Sequence, residues 1–388
     1  MIDRETIETC AKAIVESMNL KDGDSVIVRG GTHIQQLLED IGYECYRHGA
    51  IPLIISTSDD YSWRVMRDIP AETLEHTPQH LLGAYEKMDC VITVEPYKDP
   101  SIQTKFPREK LEARVRSGTP LRKILHGEDG PGKKWCYAGW PTREAARFFK
   151  TDYELFERFI IDGITYPYQE LRRRCKLIAD KLAGARSIHV EDPQGTDFSV
   201  AIEGRRVNLD DGFVDDEDVE AGDLGNNLPA GEVFVAPLED RGEGSIFCPL
   251  TIDRLSGELI RGVSLTFRDG RLDLDSVEAE EGADLVVSSF RQTQKIDQET
   301  QEDVRTLNVA ELGIGCNPKI TKAIGYVLTD EKIGGSVHLA FGANNSFGGT
   351  SKSAMHWDFV TVPEASVTVE LADGREVTIM DRGRLVQD

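Results

Sequence analysis

The chain has 388 residues, 39% hydrophobic and 29% charged, which is length for two or three domains and a composition ordinary for a soluble protein. Its 68 acids against 45 bases leave a net charge of −23, which argues against nucleic acid or an anionic membrane as partner, since both select clustered positive charge. No run of about 18 apolar residues offers a membrane span, no basic-then-apolar leader opens the chain, and seven cysteines without a CxxC pair read as reduced thiols in a cytoplasmic protein.

Apolar residues at helical spacing (Ile7, Cys10, Ala11, Ile14, Val15, Met18) predict a first helix over 3–19. Gly23-Asp24 turns into a strand at 25–31, and a helix follows over 33–49 with Ile34, Leu37, Leu38 and Ile41 inward. Next come a strand at 51–57, helical segments over 61–87, a strand at 90–96 and one more strand at 122–126. Gly30-Gly31-Thr32 reads as a tight strand-to-helix turn, because neither phosphate-binding glycine motif is present. Residues 127–142, rich in Gly and Trp, read as an ordered loop running into a helix that starts near Thr142. Residues 143–184 read as helical, with Phe148, Phe149, Leu155, Phe156, Phe159 and Ile160 as buried candidates. Strands alternating with helices imply parallel pairing, so 1–184 is expected to be an α/β domain.

Short strands dominate 185–388, which is expected to be an antiparallel-rich α+β domain. Asp269-Gly270 sits between two alternating strands, a strong hairpin signal, and Asp373-Gly374 repeats it. One helix is expected through 282–293. The acidic stretch from Asp210 to Asp223 lacks the ligand spacing of a calcium loop and reads as a solvated face.

The chemistry gathers near the C-terminus. The segments around His338 and His356 both read as strands, joined by the polar loop ANNSFGGTSKS. Residues i and i+2 of a strand share a face, so His356 and Asp358 project together with Trp357 opposite. A hairpin return brings His338 beside them. Imidazole and carboxylate on one face make half of a divalent-metal site. Two lone acids stand in apolar surroundings, Glu232 in LPAGEVFVAP and Glu311 in AELGIG. Such acids are costly unless paired or metal-bound.

LPAGEVFVAP, AELGIG, VHLAFG and HWDFV, in that order, resemble the thermophilic aminopeptidase family that includes aminopeptidases T and S. KDGDSVIVRGG, WCYAGWPT and GTDFSVAI extend the resemblance over most of the chain. The resemblance implies a homodimeric, cytoplasmic metallo-aminopeptidase acting on peptides. It also implies two divalent ions (zinc, cobalt, manganese or magnesium) on Glu232, Glu311, His338, His356 and Asp358. Glu311 or Glu232 would be the bridging or base-like catalytic carboxylate. One position departs from the family: Asn345 stands where the peptidases have a tyrosine seven residues after the first histidine. Asn345 is thus a candidate substrate-binding residue, able to donate to an oxyanion, with Asn344 and Ser346 beside it. The departure keeps a second reading open, a ring-cleaving dioxygenase of the 2,5-dihydroxypyridine type. That enzyme would hold one Fe(II) on His338, His356 and Asp358.

Overall fold

The computed structural model describes residues 2–128, 130–253 and 256–386. In chain order its elements begin α1 (Arg4–Glu16), β1 (Ser25–Gly31), α2 (Gln35–Arg47), β2 (Ile51–Thr57), α3 (Asp59–Asp68), α4 (Ala71–Leu74), α5 (Gln79–Lys87) and β3 (Cys90–Val94). Then come α6 (Arg108–His126), β4 (Lys134–Ala138), α7 (Arg143–Phe148), α8 (Tyr153–Ile164), α9 (Tyr168–Leu182), β5 (Ala185–Glu191), β6 (Asp197–Ala201) and β7 (Val207–Asp210). They continue with α10 (Asp216–Ala221), β8 (Gly225–Leu228), β9 (Glu232–Val235), β10 (Gly242–Ile252), β11 (Leu259–Arg268), β12 (Arg271–Glu278) and α11 (Ala283–Thr300). The last are β13 (Val309–Gly315), α12 (Val327–Asp330), β14 (Val337–Gly342), β15 (His356–Val360), β16 (Ser366–Leu371), β17 (Glu376–Asp381) and β18 (Arg384–Leu385).

Two compact units emerge, Met1–Tyr168 with Gly212–Pro229, and Gln169–Asp211 with Ala230–Asp388. The division differs from the boundary expected at Gly184. α9 belongs with the second unit because Arg174 Nε donates to Cys316 O at 2.9 Å, and Leu171 packs where a Gly231 side chain would stand. The chain then returns to the first unit so that β8 can pair with β4.

The first unit holds a parallel sheet ordered β2-β1-β3-β4-β8. Its interior strand β1 buries Val26, Ile27 and Val28 in succession, as expected of a strand covered on both faces. Two expectations fail here. Residues 122–126 are not a strand; they are the last turns of α6, which runs through Pro120 and ends at Gly127 in the left-handed conformation (φ 71°). A proline inside a helix costs about 3 kcal/mol. Tertiary packing offsets it: Leu121, Ile124 and Leu125 lie on the buried cluster of Ile27, Tyr85, Met88 and Val91. The fourth strand is instead β4, inside the stretch read as loop, and α7 starts after its cap Thr142.

The second unit is built on antiparallel sheets. One is ordered β12-β11-β10-β6-β5-β16-β17-β18, the other β15-β14-β13-β9-β7. The two Asp-Gly signals give different turns. Asp269 and Gly270 both take positive φ (50° and 67°) in a two-residue turn, whereas only Gly374 does so in the β16–β17 turn. Beneath the five-stranded sheet lies an aromatic core. Phe290 of α11 stacks on Trp357 and Phe359, with Phe341 and Phe267 edge-on beside them. α11 runs past the expected 293 to Thr300. Among the described residues no helix is long and apolar enough to cross a membrane.

Candidate metal centre

The strand register places the predicted site residues on one face of the five-stranded sheet. Gly342 pairs with His356 and Ala340 with Asp358. Ala340 also pairs with Glu311, and His338 with Gly313. Glu232 pairs with Gly315 on one side and Asp210 on the other. Directly paired residues share a face, so side chains from β15, β14, β13, β9 and β7 converge. Trp357 is turned to the opposite face, into the aromatic core, where its Nε1 donates to Thr251 Oγ1 at 3.1 Å.

On β13 and β14 the positions facing the cluster that carry no ligand are small: Gly313, Gly315, Ala340 and Gly342. A methyl group on Gly313 would lie 2.1 Å from His338 Cε1. The bare backbone of β13 is therefore what lets that imidazole lie across the strand and reach the carboxylates.

The sheet brings together all five residues predicted as ligands. His338 Nε2 lies 3.2 Å from Glu311 Oε1 and 3.5 Å from Glu232 Oε2. His356 Nε2 lies 3.4 Å from Glu311 Oε2 and 3.1 Å from Asp358 Oδ1. Glu311 thus turns one oxygen to each imidazole. Glu232, Glu311 and His338 offer three ligand atoms all within 4.8 Å of one another. Side-chain exposure is 0% for His338, 7% for Glu232, 10% for Glu311 and 2% for Asp358, but 29% for His356.

These donors fit a cation. His356 Nδ1 lies 2.7 Å from Ala343 O, so that nitrogen carries the hydrogen and Nε2 presents its lone pair to two carboxylate oxygens. Glu232 Oε2 and His338 Nδ1 are buried without a hydrogen-bond partner among the described residues. Lone pairs facing one another in a buried site need a proton or a metal ion between them. In the metal-free protein, protons take that place. Burial alone would lower both imidazoles. The Glu311 hydrogen bond and the charges of Glu232, Glu311 and Glu331 outweigh it at His338, which rises to about 9. Asp358 and Glu311 do the same at His356, which rises to about 10.

Three residues of this cluster were not singled out as site residues from the sequence. Lys332, fully buried, donates its Nζ to Glu232 Oε1 and lies 3.2 Å from Asp210 Oδ2 and 3.4 Å from Glu331 Oε2. Burial would lower its pKa, but Glu232, Asp210 and Glu331 hold it well above the ordinary lysine value. Burial, with the nearby charge of Asp358, raises the Glu331 carboxyl well above the usual range. Asp210 and Asp211, read as part of a solvated face, are only 7% exposed. Asp210 sits beside Lys332 and Asp211 lies 3.6 Å from Arg172 Nε. From Asp215 on, the acids do form the exposed α10 with its capping box. Lys332 gave no signal because TDEKIGG looks like a surface charge run. Asp210 was hidden in a longer acidic stretch.

The loop between the histidines does not gather all its candidates at the cluster. Asn344 is buried and committed to Glu239 Oε1 (3.1 Å) and to the Ser351 N–H (2.7 Å). Asn345 and Ser346 are exposed, the Asn345 N–H bonding Ser351 O at 3.2 Å.

Comparison with known proteins bears on family and fold. The profile of the thermophilic metalloprotease (M29) family matches residues 3–385. Aminopeptidase T of Thermus aquaticus is 31% identical over 174 residues, which are 41% of this chain and 40% of that protein, so the matched stretch spans less than half of the relative. Among solved structures, wild-type AmpT from Thermus thermophilus shares the fold with a TM-score of 0.76 at 20% identity, covering 99% of this chain and 100% of that one. The 2,5-dihydroxypyridine dioxygenase of Pseudomonas putida KT2440 shares it with a TM-score of 0.61 at 14% identity, covering 100% of this chain and 99% of that one.

Proposed function

Because the chain belongs to the thermophilic metalloprotease (M29) family, we propose that it is a metal-dependent aminopeptidase that releases N-terminal residues from peptides using two divalent ions. The observation that carries this reading is the division of Glu311, one oxygen toward His338 and the other toward His356. Glu232, Glu311 and His338 would hold one ion, and Glu311, His356 and Asp358 the other. Charge supports the same count. The cluster holds five acids, Asp210, Glu232 and Glu331 beside the Lys332 ammonium and Glu311 and Asp358 beside the imidazoles. With neutral imidazoles the formal charge is −4 with every acid ionised and −3 with the buried Glu331 protonated, and one divalent ion balances neither.

When bound, zinc, cobalt, manganese or magnesium supplies Lewis acidity that activates water and polarises the scissile carbonyl. The protein's own groups do the rest. Ala343 O fixes the His356 ring, and Lys332 leaves only Oε2 of Glu232 facing His338. A proton leaving the attacking water has two carboxylate acceptors, Glu232 and Glu311, from which it passes to the leaving amine. Asn345, exposed on the loop beside His356, is available to bind the substrate.

The dioxygenase reading needs His338, His356 and Asp358 around a single ion. Against it, the two imidazoles face different carboxylate pairs. The test is metal analysis with a screen of aminoacyl amides and dihydroxypyridines. Two ions per chain and amide hydrolysis are expected, abolished in Glu311→Gln and His356→Ala with the fold intact. One oxygen-sensitive iron with ring cleavage, or turnover retained in both variants, refutes the proposal.

A homodimer is supported by the edge strand β2, whose Ile51 and Leu53 are 54% and 52% exposed. An unpaired apolar edge of this kind invites a second chain. Sedimentation equilibrium decides, and a monomer at micromolar concentration removes the idea. Seven free, buried thiols support a reducing, cytoplasmic setting.

A further inference from the structure

The geometry points to Phe347 as the residue that selects the substrate's N-terminal side chain, favouring large aliphatic and aromatic residues. This rests on the aminopeptidase reading. Of the five clustered side chains only His356 is appreciably exposed, at 29%, so a substrate reaches the cluster past its ring. Phe347 stands edge-on to that ring, with centroids 5.8 Å apart and planes at 86°. Its other neighbour is Phe234, 5.6 Å away and also edge-on. Phe234 lies two residues after Glu232 on β9 and pairs with Gly313, so it projects from the face that carries the cluster. Both phenyl rings are only half-buried.

An aromatic at the tip of a polar loop selects only if the loop is held still. Here it is. The buried carboxylate of Glu239 accepts from Asn344 Nδ2, Thr350 N and Thr350 Oγ1, and pairs with Arg205, which also donates to Gly348 O. Asn208 Nδ2 donates to Phe347 O at 3.2 Å. The loop therefore presents a fixed apolar wall beside the ligand cluster. Such a wall suits an apolar side chain and disfavours an acidic one, whose carboxylate it would strip of water.

The experiment compares metal-loaded wild type, Phe347→Ala and Phe347→Leu on leucyl, phenylalanyl, alanyl and aspartyl amides, with metal content measured on each sample. Calorimetry of free L-leucine and L-alanine binding is run alongside. Wild type is expected to prefer leucyl and phenylalanyl amides. Phe347→Ala is expected to lose about tenfold or more in kcat/KM on them, far more than on the alanyl amide, with metal content unchanged and most of the loss restored in Phe347→Leu. An unchanged leucyl-to-alanyl ratio, or an equal loss on every substrate, overturns the assignment. If wild type hydrolyses no amide, the aminopeptidase reading fails, and calorimetry still decides the wall. Weaker L-leucine binding in Phe347→Ala sustains it, and equal binding overturns it.

Discussion

Replacing Gly313 by alanine puts a methyl group 2.1 Å from His338 Cε1 and 2.2 Å from Nε2. Ordinary van der Waals contact begins at 3.4 Å, so the imidazole must retreat by about 1.3 Å or rotate away. Gly313 has no positive φ, so alanine adds no backbone strain and the perturbation is confined to the ring. Overpacking of this kind costs about 1–3 kcal/mol of stability, which the fold should tolerate. A ligand nitrogen must sit within about 2.0–2.1 Å of zinc, and a displacement of over 1 Å removes His338 from any ion shared with Glu232 and Glu311. The other group, Glu311, His356 and Asp358, is untouched. Metal analysis after dialysis should fall from two ions per chain to one. Calorimetry should show the weaker step losing at least about 10–100-fold in affinity, the loss caused by changing only a group that hydrogen-bonds a ligand. Two ions bound with wild-type affinity in a folded Gly313→Ala protein would refute the reasoning.

Lys332→Met leaves Glu232 and Asp210 buried without their ammonium. Removing one partner of a buried ion pair costs about 3–5 kcal/mol, so the metal-free protein should melt roughly 6–20 °C lower; a shift under about 2 °C would show that the lysine is not an internal counter-ion. The raised imidazoles set a pH dependence. His338 at about 9 and His356 at about 10 stabilise the metal-free fold most fully below the unfolded histidine value of about 6.5. That contribution is lost as pH rises through the two folded values, so denaturant midpoints of the metal-free protein should reveal it between about pH 6.5 and 10. Metal ions must displace the same protons, so affinity should rise with pH over that window. Calorimetry in buffers of different ionisation enthalpy reads the released protons, and metal uptake at pH 7 without proton release would contradict the electrostatics described.

The elements that could be read from the sequence were those with a plain local signal. β1, β2 and the start of β3 fall where short apolar runs and turn residues put them, and the pairing of His356 with Asp358 follows from a period of two. What failed did so for local reasons. Residues 122–126 read as a strand, but packing on the Tyr85 cluster carries the helix on past Pro120. Glycine on both sides hid β4. Lys332 was beyond reach because nothing in a charged run announces that its lysine is buried. The burial comes from β7, β9 and the turn after α12 meeting in space, although Asp210 and Lys332 are 122 residues apart in sequence. Asn345 stood out only as a departure from a pattern, whereas Phe347, two residues on, is the loop side chain that touches the cluster.

Trp357 between His356 and Asp358 ties the chemistry of the upper face to the assembly of the lower one. A β15 that docked one residue out of step would drive an imidazole and a carboxylate into hydrocarbon and leave an indole in water. Mispairing is therefore penalised twice, once in the aromatic layer and once at the ion-binding layer. Under the proposed function, catalytic competence and correct strand alignment are in this way a single condition, and a chain able to capture ions here has already been proofread.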